Sequence, residues 1–149
     1  MCDAQQQDRY AALRLENQLC FPLYAASREI IRQYRPSLEA LDLTYTQYIT
    51  MLVLWEVGEI NVKHLGQRLY LDSGTLTPLL KSLEAKGYVI RTRSEADERV
   101  VLVQLTATGK QLQEKALSVP TRMQSCVKLS KEEAALLYQL LYKLLSEPL

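Results

Sequence analysis

The chain has 149 residues, 48% of them apolar, with 18 Lys and Arg against 17 Asp and Glu and a formal net charge of +1. That suits one domain with a full core, leaves no 18-residue apolar span to cross a membrane, and as a bulk charge argues for no polyanion partner. Three irregularly spaced cysteines (Cys2, Cys20, Cys126), one histidine (His64) and five scattered glycines exclude a disulfide framework, a structural zinc site and a Gly-rich phosphate loop. No cofactor or metal is therefore expected. The start, MCDAQQQDRY, lacks a basic stretch followed by an apolar one, so a reducing, cytoplasmic setting is expected.

The charge is unevenly spread. Residues 1–60 carry 5 basic and 8 acidic side chains (net −3), residues 61–110 carry 8 and 5 (net +3), and residues 111–149 carry 5 and 4 (net +1). The middle third is the electropositive one, a weak footprint of the kind a nucleic-acid face leaves.

Residues 1–12 are polar and expected to fray. From Leu15 to Tyr34 the period is helical: Leu19, Leu23, Ala26 and Ile30 share a stripe with Ser27 and Ile31 at its edge. Pro22 cannot donate to the carbonyl of Gln18, so the helix starts near Cys20 or kinks there, and Pro36 marks its stop. Thr44-x-x-Gln47 is a capping box that opens a buried helix through Trp55, followed by Gly58. Asn61 caps a short helix, Val62 to Tyr70. Asp72 or Ser73 caps the next, which reaches Lys86 and ends at Gly87 as a left-handed terminator.

The apolar period then changes from about 3.6 to 2. YVIRTR (88–93) and RVVLVQL (99–105) read as two strands of a hairpin with the charged tip SEADE. Helix returns from Thr106 to Val119 and stops at Pro120. Ser130-x-x-Glu133 caps a last helix carrying Leu136, Leu137, Leu140, Leu141, Leu144 and Leu145. That stripe is too wide for a helix lying alone on a surface. A homodimer interface is expected to bury it, an intramolecular core being the alternative. The fold class is mainly α with a small β-hairpin wing.

Helix, turn, helix and hairpin over residues 61–105 is the order of a winged helix-turn-helix. In the second helix Leu76, Leu79, Leu80 and Leu83 must face the core, which leaves Ser73, Thr75, Thr77, Pro78 and Lys81 opposite. Hydroxyls, a compact apolar edge and a cation suit a major-groove surface. The plainer reading is a solvated face, but such a face usually carries more Glu and Lys than Ser73 to Leu79, which holds no charge. The hairpin tip carries Asp97 and Arg99, with Arg91 and Arg93 on the approaching strand. Arginines there can enter a narrow minor groove, although Glu95 and Glu98 dilute the charge and a solvated turn is the alternative.

Cys20 lies in LENQLCFPLY, where it either fills a core or reacts. Reactivity needs a raised thiolate population. A helix N-terminus near Pro22 would supply positive charge and free amides, and Tyr24, one turn on, can donate to a thiolate or sulfenate. On these residues alone a buried inert thiol is an equal reading, and the nine tyrosines can be ordinary packing.

DSGTLTPLLKSLEAKGYVIRTRSEADERVVLVQLTATGK (72–110) resembles the MarR family of dimeric winged-helix transcription regulators. LENQLCFPLYAASREIIRQY (15–34) and LTYTQYITMLVLWE (43–56) are similar to its organic hydroperoxide sensors, the OhrR type. The resemblance covers residues 15–110 in detail and the remainder in pattern. It implies a repressor that binds double-stranded operator DNA when reduced and releases it when oxidised by organic hydroperoxides. Residues 13–57 and 107–149 would then form the dimerisation and sensing region, and residues 58–106 the DNA-binding region. It implies further that Cys20 is the redox-sensing residue, hydrogen-bonded by the partner subunit's Tyr34 and Tyr45 and supported by Tyr24, with apolar walls from Phe21, Leu23, Met51 and Trp55. Cys126 matches the resolving cysteine of a two-cysteine subgroup, whose disulfide joins opposite subunits; Cys2 has no assigned role. Two other readings stand beside this one: a thiol peroxidase, and a regulator of the same build that answers a reversibly bound aromatic effector.

Overall fold

A computed structural model describes residues 9–146; Cys2 lies outside them. Two short 3-10 turns, Ala11–Leu13 and Leu15–Asn17, lead into α1 (Cys20–Glu39). The side-chain amides of Asn17 and Gln18 reach back to the carbonyls of Ala11 (2.7 Å) and Ala12 (2.5 Å) and hold this lead-in. The helix therefore begins at Cys20, not at Leu15. Pro22 is its third residue, where a missing N–H removes no helical bond. Pro36 does not stop the helix, contrary to expectation. It frees only the carbonyl of Arg32, which water can reach because both residues are exposed. Ser37 and Leu38 beyond it are buried and keep the last turn in place.

The capping box at Thr44 forms as expected and opens α2 (Tyr45–Val57), which ends at Gly58 with φ 75°. Strand β1 (Glu59–Asn61), α3 (Val62–Leu69), α4 (Ser73–Ala85), β2 (Val89–Arg93) and β3 (Val101–Leu105) follow. Asn61 caps α3, and Asp72, not Ser73, caps α4. The sheet is antiparallel with order β1-β3-β2; Val103 faces Ile60 on one side and Arg91 on the other. The wing thus has a third strand beyond the expected hairpin. Three residues are too short to leave an alternation in sequence, and β1 exists only because β3 offers it an edge.

Helix α5 (Ala107–Ala116) is followed directly by α6 (Ser118–Gln124). Pro120 lies in the first turn of α6, so it belongs to a new helix instead of ending the old one. Ser130 and Glu133 then cap each other reciprocally (2.8 and 3.1 Å) at the start of α7 (Lys131–Ser146).

One apolar cluster joins these elements. Met51 and Leu54 of α2, Leu65 of α3, Leu76, Leu80 and Leu83 of α4, Val89 and Val103 of the sheet and Val119 of α6 are nearly or fully inaccessible. Helix α7 has no share in it: every residue from 131 to 146 is exposed within the chain. The intramolecular alternative for its leucine stripe is therefore wrong. Leu19, Ala26 and Ile30 of the α1 stripe are likewise exposed, and only Leu23 is partly covered. No described helix is long and apolar enough to cross a membrane.

Gly109 of α5 is pressed against the strand entry. A Cβ there would run into the carbonyl oxygen of Tyr88, which is backbone and cannot step aside. Gly109→Ala should lose about 1–3 kcal/mol of stability through this overlap, read as a lower denaturant midpoint at unchanged slope. A wild-type midpoint would show that the strand and helix separate freely.

Candidate sensing site and nucleic-acid interface

The reading helix is set by its cap and its leucines. Asp72 accepts the Thr75 amide (2.9 Å) and hydroxyl (3.1 Å), and these bonds hold its carboxyl below the usual carboxylate range. Leu76, Leu79, Leu80 and Leu83 are buried, and Ser73, Thr75, Thr77, Pro78 and Lys81 are all exposed. Pro78 leaves the Gly74 carbonyl without a helical donor, and Thr77 ties the turn by donating its hydroxyl to the Ser73 carbonyl (2.8 Å). Among the described residues, the Ser73 hydroxyl and the Lys81 ammonium have no partner inside the chain. They are the donors this face can offer outward.

The wing sorts its arginines. Arg99 stands 90% exposed at the tip, and the Asp97 carboxylate accepts from its backbone amide (3.0 Å), Nε (3.1 Å) and Nη2 (3.3 Å). Arg93 reaches the Glu98 carbonyl (3.3 Å). Asp97 is thus the residue that aims Arg99 and brings no cation of its own. Arg91 differs from expectation. Its Nη2 and Nε grip Glu84 at 2.7 and 3.1 Å, and its amide donates to the same carboxylate. It stitches the wing to the end of α4 and is not a free cation at the tip. Glu84 was not singled out from the sequence, because the pair exists only where strand and helix end meet. A groove of about 950 Å³ runs between α3, α4 and the wing, past His64, Tyr70, Thr77 and Arg99.

The second group of residues lies on α1 and α2. Cys20 is the first residue of α1, exposed and free, and Leu19 before it supplies no side-chain cap. Cys20 thus lies in the first turn of the helix, at its positive end. Tyr24 lies one turn on, and its hydroxyl accepts from Arg28 (3.1 Å), whose guanidinium also lies over the ring. Phe21, Tyr24, Arg28, Leu43 and Tyr45 line an open groove of about 820 Å³.

Tyr34 of α1 and Tyr45 of α2 meet edge to face at 5.1 Å, and Tyr48 lies 5.9 Å from Tyr34. Burial pushes both Tyr34 and Tyr45 above the usual phenol range, so each remains a neutral O–H donor. Among the described residues neither hydroxyl finds an acceptor in its own chain. Tyr34 is also remote from Cys20: fourteen positions along one helix is about 21 Å. A single chain does not bring Cys20 and the two tyrosines together.

Two other expected members sit elsewhere. Met51 is fully buried in the core and walls no open groove. Trp55 is half-buried and donates its indole N–H to the Gly109 carbonyl (2.9 Å). Cys126 is exposed and free, just beyond α6, with its thiol against the Arg122 carbonyl (3.4 Å). Among the described residues no cluster of His, Cys, Asp and Glu is placed to hold a metal ion.

The family model of the transcriptional regulator SarA/Rot matches residues 32–116. The organic hydroperoxide resistance transcriptional regulator of Bacillus subtilis is 49% identical over 139 residues, 93% of this chain and 95% of that protein. Among solved structures, AbfR, a protein of Staphylococcus epidermidis, is similar in three states. Reduced AbfR bound to DNA is 36% identical with TM-score 0.75, covering 95% of this chain and 96% of that one. Overoxidised AbfR bound to DNA is 37% identical with TM-score 0.73 over the same shares. Disulfide-formed AbfR is 37% identical with TM-score 0.64, covering 95% and 99%. With its winged helix-turn-helix, its exposed helix-terminal cysteine and these relatives, the chain belongs to the MarR- and SarA-type family of transcriptional regulators, in the branch of the organic hydroperoxide regulators, and is not an enzyme.

Proposed function

We propose that the protein is a homodimeric, redox-switched repressor that holds operator DNA when reduced and lets go when organic hydroperoxides oxidise Cys20. The observation that carries this reading is the placement of Cys20. It is an exposed thiol at the N-terminus of α1, about 21 Å along that helix from Tyr34, in a chain 49% identical to an organic hydroperoxide regulator. Pairing two chains through the exposed leucines of α7 and the outer face of α1 would bury both apolar surfaces. It would also let the partner subunit's Tyr34 and Tyr45 spend their idle hydroxyls on the sulfur. A donor aimed at a thiolate or sulfenate favours the charged form.

The thiolate attacks one oxygen of the hydroperoxide, the O–O bond breaks, and the alcohol leaves with the proton. Cys20 is left as the sulfenic acid. The Cys126 thiol of the partner subunit then attacks that sulfur, a disulfide forms and water departs. Cys126 is exposed in the segment between α6 and α7, so no core packing opposes its approach, and only the turn bonds to Arg122 and Met123 at the end of α6 must open. AbfR has been solved bound to DNA both reduced and overoxidised, and separately in a disulfide form. By analogy the disulfide, which must draw two segments to bonding distance, is what displaces the winged modules here. On the DNA side, Ser73, Thr75, Thr77, Pro78 and Lys81 of α4 face the major groove, and Arg99, aimed by Asp97 and flanked by Arg93, lies at the minor groove. Arg91 acts through Glu84 by fixing the wing.

Cys20→Ser should bind operator like wild type in a mobility shift and stay bound after organic hydroperoxide. Release by that variant would point to another sensing group or to a reversibly bound aromatic effector. After stoichiometric hydroperoxide, wild type should run on a non-reducing gel as a covalent dimer that dithiothreitol collapses. Cys126→Ser should run as monomer and over-oxidise at Cys20 by mass spectrometry. A covalent dimer persisting in Cys126→Ser and lost in Cys2→Ser would name the other cysteine. Arg99→Ala should weaken operator binding roughly 5- to 100-fold, the effect of losing one such contact, without altering the oligomer seen by sedimentation; unchanged affinity removes the wing tip from the interface.

A further inference from the structure

The segment Leu41–Gln47 lies between the sensing groove and the reading helix and is bonded to both. On the groove side it supplies Leu43, Thr44 and Tyr45 to the lining, with Tyr45 against Tyr34. On the other side several of its polar groups run to the C-terminal end of α4 and the residues just past it. Gln47, only 5% exposed, donates its amide N–H to the Ser82 hydroxyl (2.9 Å). Its carbonyl oxygen accepts from the Thr44 amide (3.0 Å) and from the Lys86 ammonium (3.2 Å). Lys86 also reaches the Asp42 carbonyl (2.5 Å) and carboxylate (3.3 Å). Asp42 holds the left-handed φ of 53° that turns this corner. Tyr88, just past α4, donates to the Leu41 carbonyl (3.3 Å).

We propose that Gln47 is a positioning residue that couples the sensing groove to the reading helix, carrying any displacement of Thr44 and Tyr45 to Ser82 of α4 and to Lys86, which caps that helix. This rests on the redox-repressor reading above and names the route its signal takes. The physical reason is directional. Leucine faces can slide past one another with little change in buried area. A buried amide with both ends bonded cannot, since a lost partner leaves an unsatisfied polar group. The capping box makes residues 44–47 one stiff unit, because the oxygen that caps Thr44 is the same oxygen that holds Lys86. Ser82 and Lys86 lie at one end of a 13-residue helix whose other end presents Ser73, Thr75 and Thr77. A small rotation imposed at the first end is therefore delivered to the DNA face, which begins five and ends nine positions from Ser82, about 8–14 Å along the helix.

The test uses full-length Gln47→Leu and Ser82→Ala, with Gln47→Glu as the conservative variant. Glutamate keeps an acceptor for Thr44 and Lys86 and can accept a hydrogen bond from the Ser82 hydroxyl. Two quantities are read for each: the rate of Cys20 oxidation by mass spectrometry, and operator Kd by fluorescence anisotropy before and after hydroperoxide. In Gln47→Leu and Ser82→Ala, Cys20 should oxidise as fast as in wild type, while the ratio of oxidised to reduced Kd falls by about fivefold or more. Gln47→Glu should keep the wild-type ratio. If Gln47→Leu does not fold by circular dichroism, Ser82→Ala decides alone. Ratios equal to wild type in the folded variants overturn the proposal, as does loss of operator binding already in the reduced state. Wild type that oxidises at Cys20 yet stays on DNA would overturn the redox-repressor reading itself, a different result from the variants matching a wild type that releases.

Discussion

The burial of one face of α4 organises the molecule. Leu76, Leu80 and Leu83 are almost wholly covered and Leu79 nearly so, each contributing about 1.5–3 kcal/mol on removal from water. A helix seated on that face keeps one side in the core and the other in solvent. The opposite side, with Ser73, Thr75, Thr77, Pro78 and Lys81, is thereby turned outward at a set angle. The leucines also require a wall, and Met51 and Leu54 of α2 with Leu65 of α3 supply it. Helix α2 in turn carries Tyr45 and Tyr48 toward α1. Tyr34, Tyr45 and Tyr48 thus pack against the same core that holds the leucine face of α4.

Polar bonds add register to this packing. Arg91 and Glu84 set the wing against the end of α4. Thr106 bonds the Gly87 carbonyl (2.6 Å) and caps α5 at the same time. Asp97 orders Arg99 within the turn. All three are short-range in space, and all lie where an apolar contact alone would allow a strand or helix end to drift. The cations of this region consequently divide into Arg91, tied down against Glu84, Arg99, aimed by Asp97 yet 90% exposed, and Lys81, exposed on α4; their surroundings, not their residue type, set the difference.

The apolar surface that this core leaves over is as informative as the core. Leu136, Leu140 and Leu144 of α7 and Leu19 and Ile30 of α1 are exposed within the chain, far more than a monomer leaves without cause. The proposed dimer accounts for that surface and for the separation of Cys20 from Tyr34 at once. One thiol then has no complete site in its own chain, and its reactivity depends on assembly.

Local pattern alone determined much of this protein. The caps at Thr44, Asn61, Asp72 and Ser130 were legible because a capping side chain and its amide are neighbours in sequence. The leucine faces and the β-branched hairpin were legible because their periods differ, and the segment around Cys20 carried the family pattern. Tertiary structure decided the remainder. It ran α1 through Pro36, because burial of Leu38 outweighs one missing bond at an exposed carbonyl. It began α6 with Pro120, because a first turn does not need that N–H. It made β1 from three residues that only an existing edge could order. It also took Met51 into the core, committed Arg91 to Glu84, and gave Gln47 partners thirty-five and thirty-nine positions away. Such choices depend on which groups meet in space, and a one-dimensional pattern encodes contacts between neighbours along the chain but not between surfaces that only folding brings together.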